Sequence, residues 1–263
     1  MSKILEGLNP AQKEAVINYT TPSLIIAGAG SGKTRVLTSR IAYMLEQGVR
    51  ADNILALTFT KKAANEMRER IDAMVGSAAR RINMGTFHSI FSRILRENAE
   101  AIGYTREYTI YETTDSKNLI KTICKEMNLS EERYKPQAVA ARISMAKNCL
   151  VTPAAYRANA VLVGEDRELK MPELVDIYAE YCNRCKRNGA MDFDDLLYYT
   201  VRLLKENDDI FQADFKSFEN PEALQQMVDL QVLDFICGNV DRHLGNMPYQ
   251  FKKKKFGGVT FAG

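Results

Sequence analysis

The fold is decided by the stretch Ala27-Gly28-Ala29-Gly30-Ser31-Gly32-Lys33-Thr34, which is rich in glycine and ends in a lysine and a threonine. Glycine and other small residues let backbone N–H groups turn inward around an anion. The stretch follows the pattern G-x-x-x-x-G-K-[ST] except at its first position, where Ala27 replaces glycine. It therefore predicts a loop that binds the phosphates of a nucleotide.

The residues on either side of this loop supply the context that a phosphate site requires. Leu24-Ile25-Ile26 is a short apolar run typical of a buried strand, and residues 35–47 have the periodicity of a helix that ends before Gly48. Such a helix directs the positive end of its dipole at the anion. We expect Lys33 to contact the β- and γ-phosphates of ATP and the Thr34 hydroxyl to bind Mg²⁺.

The pattern of apolar residues changes along the chain. Residues 8–110 alternate short apolar runs with longer amphipathic stretches, which is typical of βα units around a parallel sheet. Asn9-Pro10 predicts a helix start, and after about Thr113 the strand signals stop. The later strands are predicted at residues 54–59 and 82–85. The later helices are predicted at residues 61–74, 87–101, 116–127, 136–148, 171–188 and 193–206.

Composition limits the classes of protein to consider. An apolar fraction of 46% and a net charge of +3, from 36 basic and 33 acidic residues, are typical of an ordinary globular protein. A nucleic-acid partner would therefore need locally clustered cations. No apolar run approaches the ~20 residues of a membrane helix, and the first residues are polar, so we expect a cytoplasmic protein. Cys182 and Cys185 form a C-x-x-C pair without a second pair, so we expect free thiols rather than a zinc site.

Four further stretches resemble motifs of the UvrD/PcrA/Rep-type superfamily 1 DNA helicases. They occur in the family's order and extend the resemblance over roughly residues 5–207. They are Leu8-Asn9-Pro10-Ala11-Gln12, then Ala56-Leu57-Thr58-Phe59-Thr60-Lys61-Lys62-Ala63-Ala64-Asn65-Glu66-Met67, then Gly85-Thr86-Phe87-His88-Ser89, and last Met191-Asp192-Phe193-Asp194-Asp195-Leu196-Leu197.

The resemblance implies an α/β fold and a domain layout. The fold would be a P-loop NTPase (RecA-like) parallel sheet with an inserted, mostly helical subdomain and a short helical or irregular C-terminal tail. Residues 1–110 would begin the motor lobe and residues 111–190 would form the inserted subdomain. Residues 191–207 would return to the lobe, and residues 208–263 would be an unrelated tail.

The resemblance also implies roles for single residues. Gln12 would bind the adenine of ATP, and Arg35, next to Thr34, would contact the nucleotide too. Single-stranded DNA would lie on the residues that follow the second and third strands. Rings that stack on bases and hydroxyl or ammonium groups that hold phosphates suit this purpose. The implied DNA-binding residues are Phe59, Thr60, Lys61, Thr86 and His88.

One element of the helicase pattern is not found. The family has a D-E-x-Q-D box shortly after the segment that Asp192–Leu197 resembles, and its carboxylates hold Mg²⁺ and orient water. No Asp-Glu pair follows residue 207, and no second motor lobe is recognised in the sequence. We therefore expect that the chain belongs by family to the ATP-dependent 3′-to-5′ helicases. We expect the 263-residue chain itself to bind nucleotide without unwinding DNA. A non-enzymatic module that binds nucleotide and single-stranded DNA is the alternative.

The tail contains a second signature. Gly238-Asn239-Val240-Asp241-Arg242-His243-Leu244-Gly245-Asn246 resembles the catalytic loop of atypical kinases, of the phosphoinositide-kinase-like and HipA-like groups. In such a loop Asp241 would accept the substrate's hydroxyl proton and Asn246 would bind a metal. A kinase-like phosphotransferase fragment is thus a further alternative. The change of pattern near residue 207 leads to the hypothesis of a fusion between two truncated genes or an assembly artefact.

Overall fold

The structure is a computed structural model that describes residues 2–20, 23, 25, 28 and 30–207. These residues fall into two compact units, which divide after Thr86. The described part is α/β and mostly helical, with two short parallel sheets of two strands each. Within it, no helix is both long enough and apolar enough to span a bilayer.

The first unit consists of βα elements around a two-stranded parallel sheet. Strand β1 pairs with β2 in a register that sets Thr58 beside Thr86, so both strands end at the same edge. Its core is formed by apolar side chains from both helices and strands, among them Ile41, Ile71 and Met84. In chain order the elements are α1 (Pro10–Ile17), α2 (Lys33–Glu46), β1 (Leu55–Thr58), α3 (Lys61–Val75) and β2 (Asn83–Thr86).

The second unit is a helical assembly with its own apolar core. The core includes the rings of Tyr134, Tyr156, Tyr178 and Tyr181, which are nearly inaccessible to solvent. The elements are α4 (Phe87–Glu97), β3 (Thr109–Ile110), α5 (Thr113–Glu126), α6 (Pro136–Asn148), α7 (Pro153–Ala158), α8 (Ala160–Glu168), α9 (Leu174–Arg187), β4 (Ala190–Met191) and α10 (Phe193–Glu206).

Most of the predicted elements are confirmed within the described residues. The helices at residues 136–148 and 193–206 have the predicted bounds, since Pro136 starts one and the Asp192 capping box starts the other. The helix predicted at residues 87–101 ends at Glu97 and continues as a 3₁₀ turn, Ala99–Ile102. The helices α7 and α8 were not predicted. Most of the strand expected at Leu24-Ile25-Ile26, and all of residues 208–263, lie outside the described residues.

The expectation that strands stop after about Thr113 is wrong. Ala190–Met191 forms β4, which pairs in parallel with β3 at Thr109–Ile110. Gly189, with φ +56°, turns the chain after α9 and its carbonyl accepts from Thr109 N–H. Two residues are too few to show an alternating pattern, so the local sequence gives no strand signal here.

A buried cluster of charges anchors α10 to α6. The ammonium of Lys147, only 2% exposed, lies 2.7 Å from Asp192 Oδ2 and 2.8 Å from Asp195 Oδ1. The same two carboxylates form the capping box of α10, and the Tyr181 hydroxyl donates to Asp192. Buried charges are tolerated only where each is paired and hydrogen-bonded, which this arrangement achieves.

Two carboxylates face one ammonium, so the three groups titrate differently. Burial opposes the charged form of Asp192, but the charge and hydrogen bond of Lys147 outweigh it and lower the pKa of Asp192. Burial, followed by the charge of Asp192, raises the pKa of Asp195 to about 7. Burial opposes the charge of Lys147 as well, yet the two carboxylates raise its pKa.

Replacing Lys147 with methionine should strongly destabilise the second unit, because two buried carboxylates lose their counter-ion. We expect a loss of about 3–5 kcal/mol in the free energy of unfolding, measured by urea denaturation. The matched control is Lys121→Met, which removes an exposed ion pair with Glu131 and should cost less than about 1 kcal/mol. Equal losses for the two variants would contradict the structural role of the cluster.

The stability of the fold should depend on pH through Asp195. Its pKa is about 7 in the folded chain against 3.8 for the free side chain, so the folded state binds more protons between these pH values. Its contribution to stability is therefore full at low pH and declines as pH rises toward 7. The unfolding free energy of the wild type minus that of Asp195→Asn should fall between about pH 4 and pH 7. A flat difference over this range would show that Asp195 does not titrate in this window.

Candidate functional site

The glycine-rich loop leads directly into the N-terminus of α2. Gly30 and Gly32 have φ of +75° and +85°, in the left-handed region that glycine adopts without strain. Gly32 is the N-cap of α2, which begins at Lys33. A Cβ at Gly28 or Gly30 would meet nothing within 4 Å, so the space beside the loop is open. The geometry fits an anion held at a helix N-terminus.

Lys33 and Ser31 both converge on one carbonyl of the loop. The Lys33 ammonium donates to Gly28 O at 2.9 Å, and the Ser31 hydroxyl donates to the same atom at 2.6 Å. The loop therefore brings the cation of Lys33 back over its own backbone, where it faces oxygen acceptors. Thr34, the next residue of α2, is exposed in the first turn. The predicted contributions of Ala27 and Ala29 lie outside the described residues.

Gln12 on α1 is tied to this loop. Its Oε1 accepts from Asn9 N–H at 3.0 Å as part of a capping box, and its Nε2 donates to Ser31 O at 3.1 Å. A primary amide has two donors and two acceptor lone pairs, so one donor and one lone pair remain for a ligand. The pattern N-x-x-Q at the helix start is the local signal for this capping box.

Arg35, the residue after Thr34 on α2, lies close to residues 6 and 7. Its guanidinium donates to Glu6 O at 3.4 Å, a long hydrogen bond. A Cβ at Gly7 would lie 2.9 Å from an Arg35 nitrogen, so any other residue at this position would displace the end of the Arg35 side chain. Arg35 is thus held beside the segment that leads into α1.

Four of the five predicted DNA-binding residues lie at the carboxyl edge of the β1–β2 sheet. Phe59, Thr60 and Lys61 follow β1 directly, and Thr86 ends β2 beside Thr58. The Phe59 ring is 66% exposed, which is unusual for so large an apolar side chain. The Thr60 hydroxyl accepts from Ala63 N–H and caps α3, so Lys61 stands at a helix N-terminus.

His88, the fifth predicted residue, belongs to the second unit. It is partly buried on α4, and its ring packs edge-to-face on Phe193 at 5.3 Å between centroids. Burial lowers the pKa of His88 below its ordinary value of 6.5, so the imidazole is neutral at pH 7. A neutral ring donates a hydrogen bond or stacks but offers no charge to a phosphate.

The sequence analysis missed one residue that organises this site. Arg40 on α2 donates to Ala15 O at 3.1 Å, to Ser23 Oγ at 2.8 Å and to Asn18 O at 3.0 Å. These acceptors are distant in sequence, and no local pattern indicates them. No cluster of three or more His, Cys, Asp or Glu side chains suited to a metal is found among the residues described.

Comparison with known proteins agrees with the motifs that surround the loop. The sequence matches the family described as the UvrD/REP helicase N-terminal domain over residues 8–220. It is 41% identical over 219 residues to the ATP-dependent DNA helicase PcrA of Bacillus subtilis (strain 168), covering 83% of this chain and 29% of that protein. It is 43% identical over 213 residues to PcrA of Staphylococcus aureus (strain Mu50), covering 81% and 28%.

The matched relatives form one class, the DNA helicases. The chain belongs to the family of the UvrD/REP helicase N-terminal domain. This confirms the resemblance that the motifs indicated. The chain spans less than a third of the length of these relatives, at 29% and 28%. The kinase-like Asp241 and Asn246 lie outside both the matched region and the described residues.

Proposed function

We propose that this chain supplies the ATP-binding part, and part of the single-stranded DNA track, of an ATP-dependent 3′-to-5′ DNA helicase. The observation that supports it best is the loop of Gly30 and Gly32 at the start of α2, with Lys33 turned over it and Gln12 bonded to it. The relatives are named ATP-dependent DNA helicase PcrA, which agrees with this role. The fold in this proposal is a P-loop NTPase, RecA-like, with the domain layout predicted above.

ATP and Mg²⁺ would be bound by groups that the loop already orients. Backbone N–H groups at the start of α2 and the Lys33 ammonium would hold the phosphates, and the Thr34 hydroxyl would hold Mg²⁺. Lys33 exchanges its intramolecular acceptor, Gly28 O, for a phosphate oxygen, which costs little because the side chain is already directed there. When bound, ATP with Mg²⁺ supplies the phosphoryl group whose transfer drives such a motor.

Gln12 would select adenine through the hydrogen-bonding capacity that its intramolecular bonds leave open. One N–H donor and one lone pair match the N7 acceptor and the N6 donor of adenine, the same pair that glutamine binds in nucleic acids. Guanine presents an acceptor at the position of the N6 donor, so the second lone pair of the Gln12 oxygen would face another acceptor and stay unpaired. Arg35, which directly follows Thr34 in the first turn of α2, adds a contact to the nucleotide.

Single-stranded DNA would lie along the carboxyl edge of β1 and β2. The exposed Phe59 ring gives a base a surface to stack on, and Lys61 at the N-terminus of α3 adds positive charge for a phosphate. Thr60 and Thr86 supply hydroxyls at the same edge. For His88, which belongs to the second unit, we propose a further DNA contact through its neutral ring. Neither stacking nor phosphate contacts depend on base sequence, as a helicase requires.

For the 263-residue polypeptide itself we propose binding of ATP without turnover. The sequence after residue 207 has no Asp-Glu pair to hold Mg²⁺ and orient water. DNA-stimulated release of phosphate by the purified chain would overturn this part. A cytoplasmic location, expected for a protein that acts on DNA, belongs to the same proposal.

The Lys33→Ala variant tests the nucleotide site. Loss of a charge-assisted hydrogen bond to phosphate should weaken ATP binding by about 10- to 150-fold, as measured by calorimetry with Mg²⁺ present. Lys125→Ala is the matched control, because it removes an exposed lysine from the end of α5 in the other unit. Unchanged ATP affinity in Lys33→Ala, or equal losses in both variants, would reject the phosphate loop as the site.

The Phe59→Leu variant tests the DNA track. Loss of base stacking should weaken binding of an oligothymidylate by about 5- to 150-fold in fluorescence anisotropy, while Phe59→Tyr, which keeps a ring, should bind almost normally. Lys61→Ala should instead lower the slope of log K against log salt by about 0.7, the value for one lost phosphate contact. Equal affinities for Phe59→Leu and Phe59→Tyr would exclude stacking at this residue.

A further inference from the structure

Helix α1 carries Gln12 but has little apolar surface to hold it in place. It has only eight residues, and a single one of them, Val16, is buried. Its apolar contact with α2 is a small cluster with three buried residues, Leu8, Val16 and Val36, and three partly buried ones, Leu5, Ala15 and Tyr43. Helices of this length are marginal without tertiary support, so polar ties at the ends of α1 have a large share in fixing its position.

The two ends of α1 are tied to α2 and its loop by different side chains. At the N-terminal end, Gln12 Nε2 donates to Ser31 O. At the C-terminal end, the Arg40 guanidinium donates to Ala15 O and Asn18 O, and also to Ser23 Oγ on the segment that leads to the loop. The last carbonyls of a helix have no partner within the helix and carry the negative end of its dipole. A guanidinium at this end donates hydrogen bonds to these carbonyls and also offsets the negative charge.

We propose that Arg40 is a positioning residue that holds α1, and through it the Gln12 amide, at the adenine side of the phosphate loop. Arg40 stands about two helical turns beyond Lys33 on α2, so it does not touch the nucleotide itself. Helix α2 thus has two roles in the site. Its N-terminus and Lys33 face the phosphates, and its Arg40 fixes the position of α1, which carries Gln12. This inference rests on the proposed function.

The test compares two ligands, ATP and inorganic tripolyphosphate, which has the phosphates but no base. In the full chain, Arg40→Met should weaken ATP binding by about 2- to 10-fold, equivalent to one neutral hydrogen bond, and leave tripolyphosphate binding unchanged. In a Gln12→Ala background, Arg40→Met should cause no further loss of the preference for ATP, because Gln12 is the group it positions. Both affinities are measured by calorimetry.

The binding results for Arg40→Met, alone and with Gln12→Ala, decide whether Arg40 positions Gln12. Equal loss for ATP and tripolyphosphate, additive losses with Gln12→Ala, or no loss for ATP would overturn the role of Arg40. If Lys33→Ala leaves ATP binding intact, the proposed function fails instead, whatever Arg40 does.

Two milder variants decide the question if Arg40→Met does not fold by circular dichroism. Arg40→Lys keeps the charge but not the fork of donors, and Ser23→Ala removes one of the three acceptors. Both should lower the preference for ATP over tripolyphosphate while keeping the helical spectrum. An unchanged preference in both would overturn the proposal.

Discussion

The left-handed backbone of Gly32 is the constraint on which the site depends. At φ +85° the chain turns so that α2 starts one residue later, and the first N–H groups of the helix point into the loop. A Cβ here would also approach Gln12 Nε2 to 3.1 Å, which would press on the bond between Gln12 and Ser31 O. One glycine therefore allows both the helix start and the attachment of α1. The part of the site that faces the phosphates and the part that faces the base therefore both depend on the left-handed conformation of Gly32.

The carboxyl edge of β1 and β2 shows how a parallel sheet brings distant segments together. Thr58 and Thr86 are register partners, so the residues that follow β1 and those that end β2 lie side by side. In parallel α/β sheets this edge is where ligands bind, because the loops there are free to vary while the strands remain fixed. Phe59 is exposed at this edge because the strand ends at Thr58 and the next helix begins at Lys61.

Sequence reasoning was effective wherever the physical cause is local. Gly32 before α2, the Asn9-Pro10 start of α1 and the acids at the start of α10 each act within one helical turn, and the patterns that report them are short. The family resemblance was confirmed for the same reason, since it rests on compact motifs. The long-range hydrogen bonds and ion pairs that connect these elements could not be predicted from local sequence patterns. Arg40 bonds to Ala15 across 25 residues, and Lys147 bonds to Asp192 across 45. Nothing near either residue predicts its partner, although Lys147 shares a helix face with the buried Val139 and Ile143. The two-residue strand β4 was missed because so short a segment has no period.

The buried cluster of Lys147, Asp192 and Asp195 restricts how this sequence can diverge. Loss of Lys147 alone leaves Asp192 and Asp195 without a counter-ion in a place that water does not reach, whereas loss of Asp195 alone still leaves the ion pair of Lys147 and Asp192. A neutral residue at 147 is therefore viable only together with amides at 192 and 195, while position 195 can take an amide by itself. Related proteins that keep both carboxylates should thus keep the lysine, and a relative that lacks only the lysine would be one whose α10 is anchored in another way.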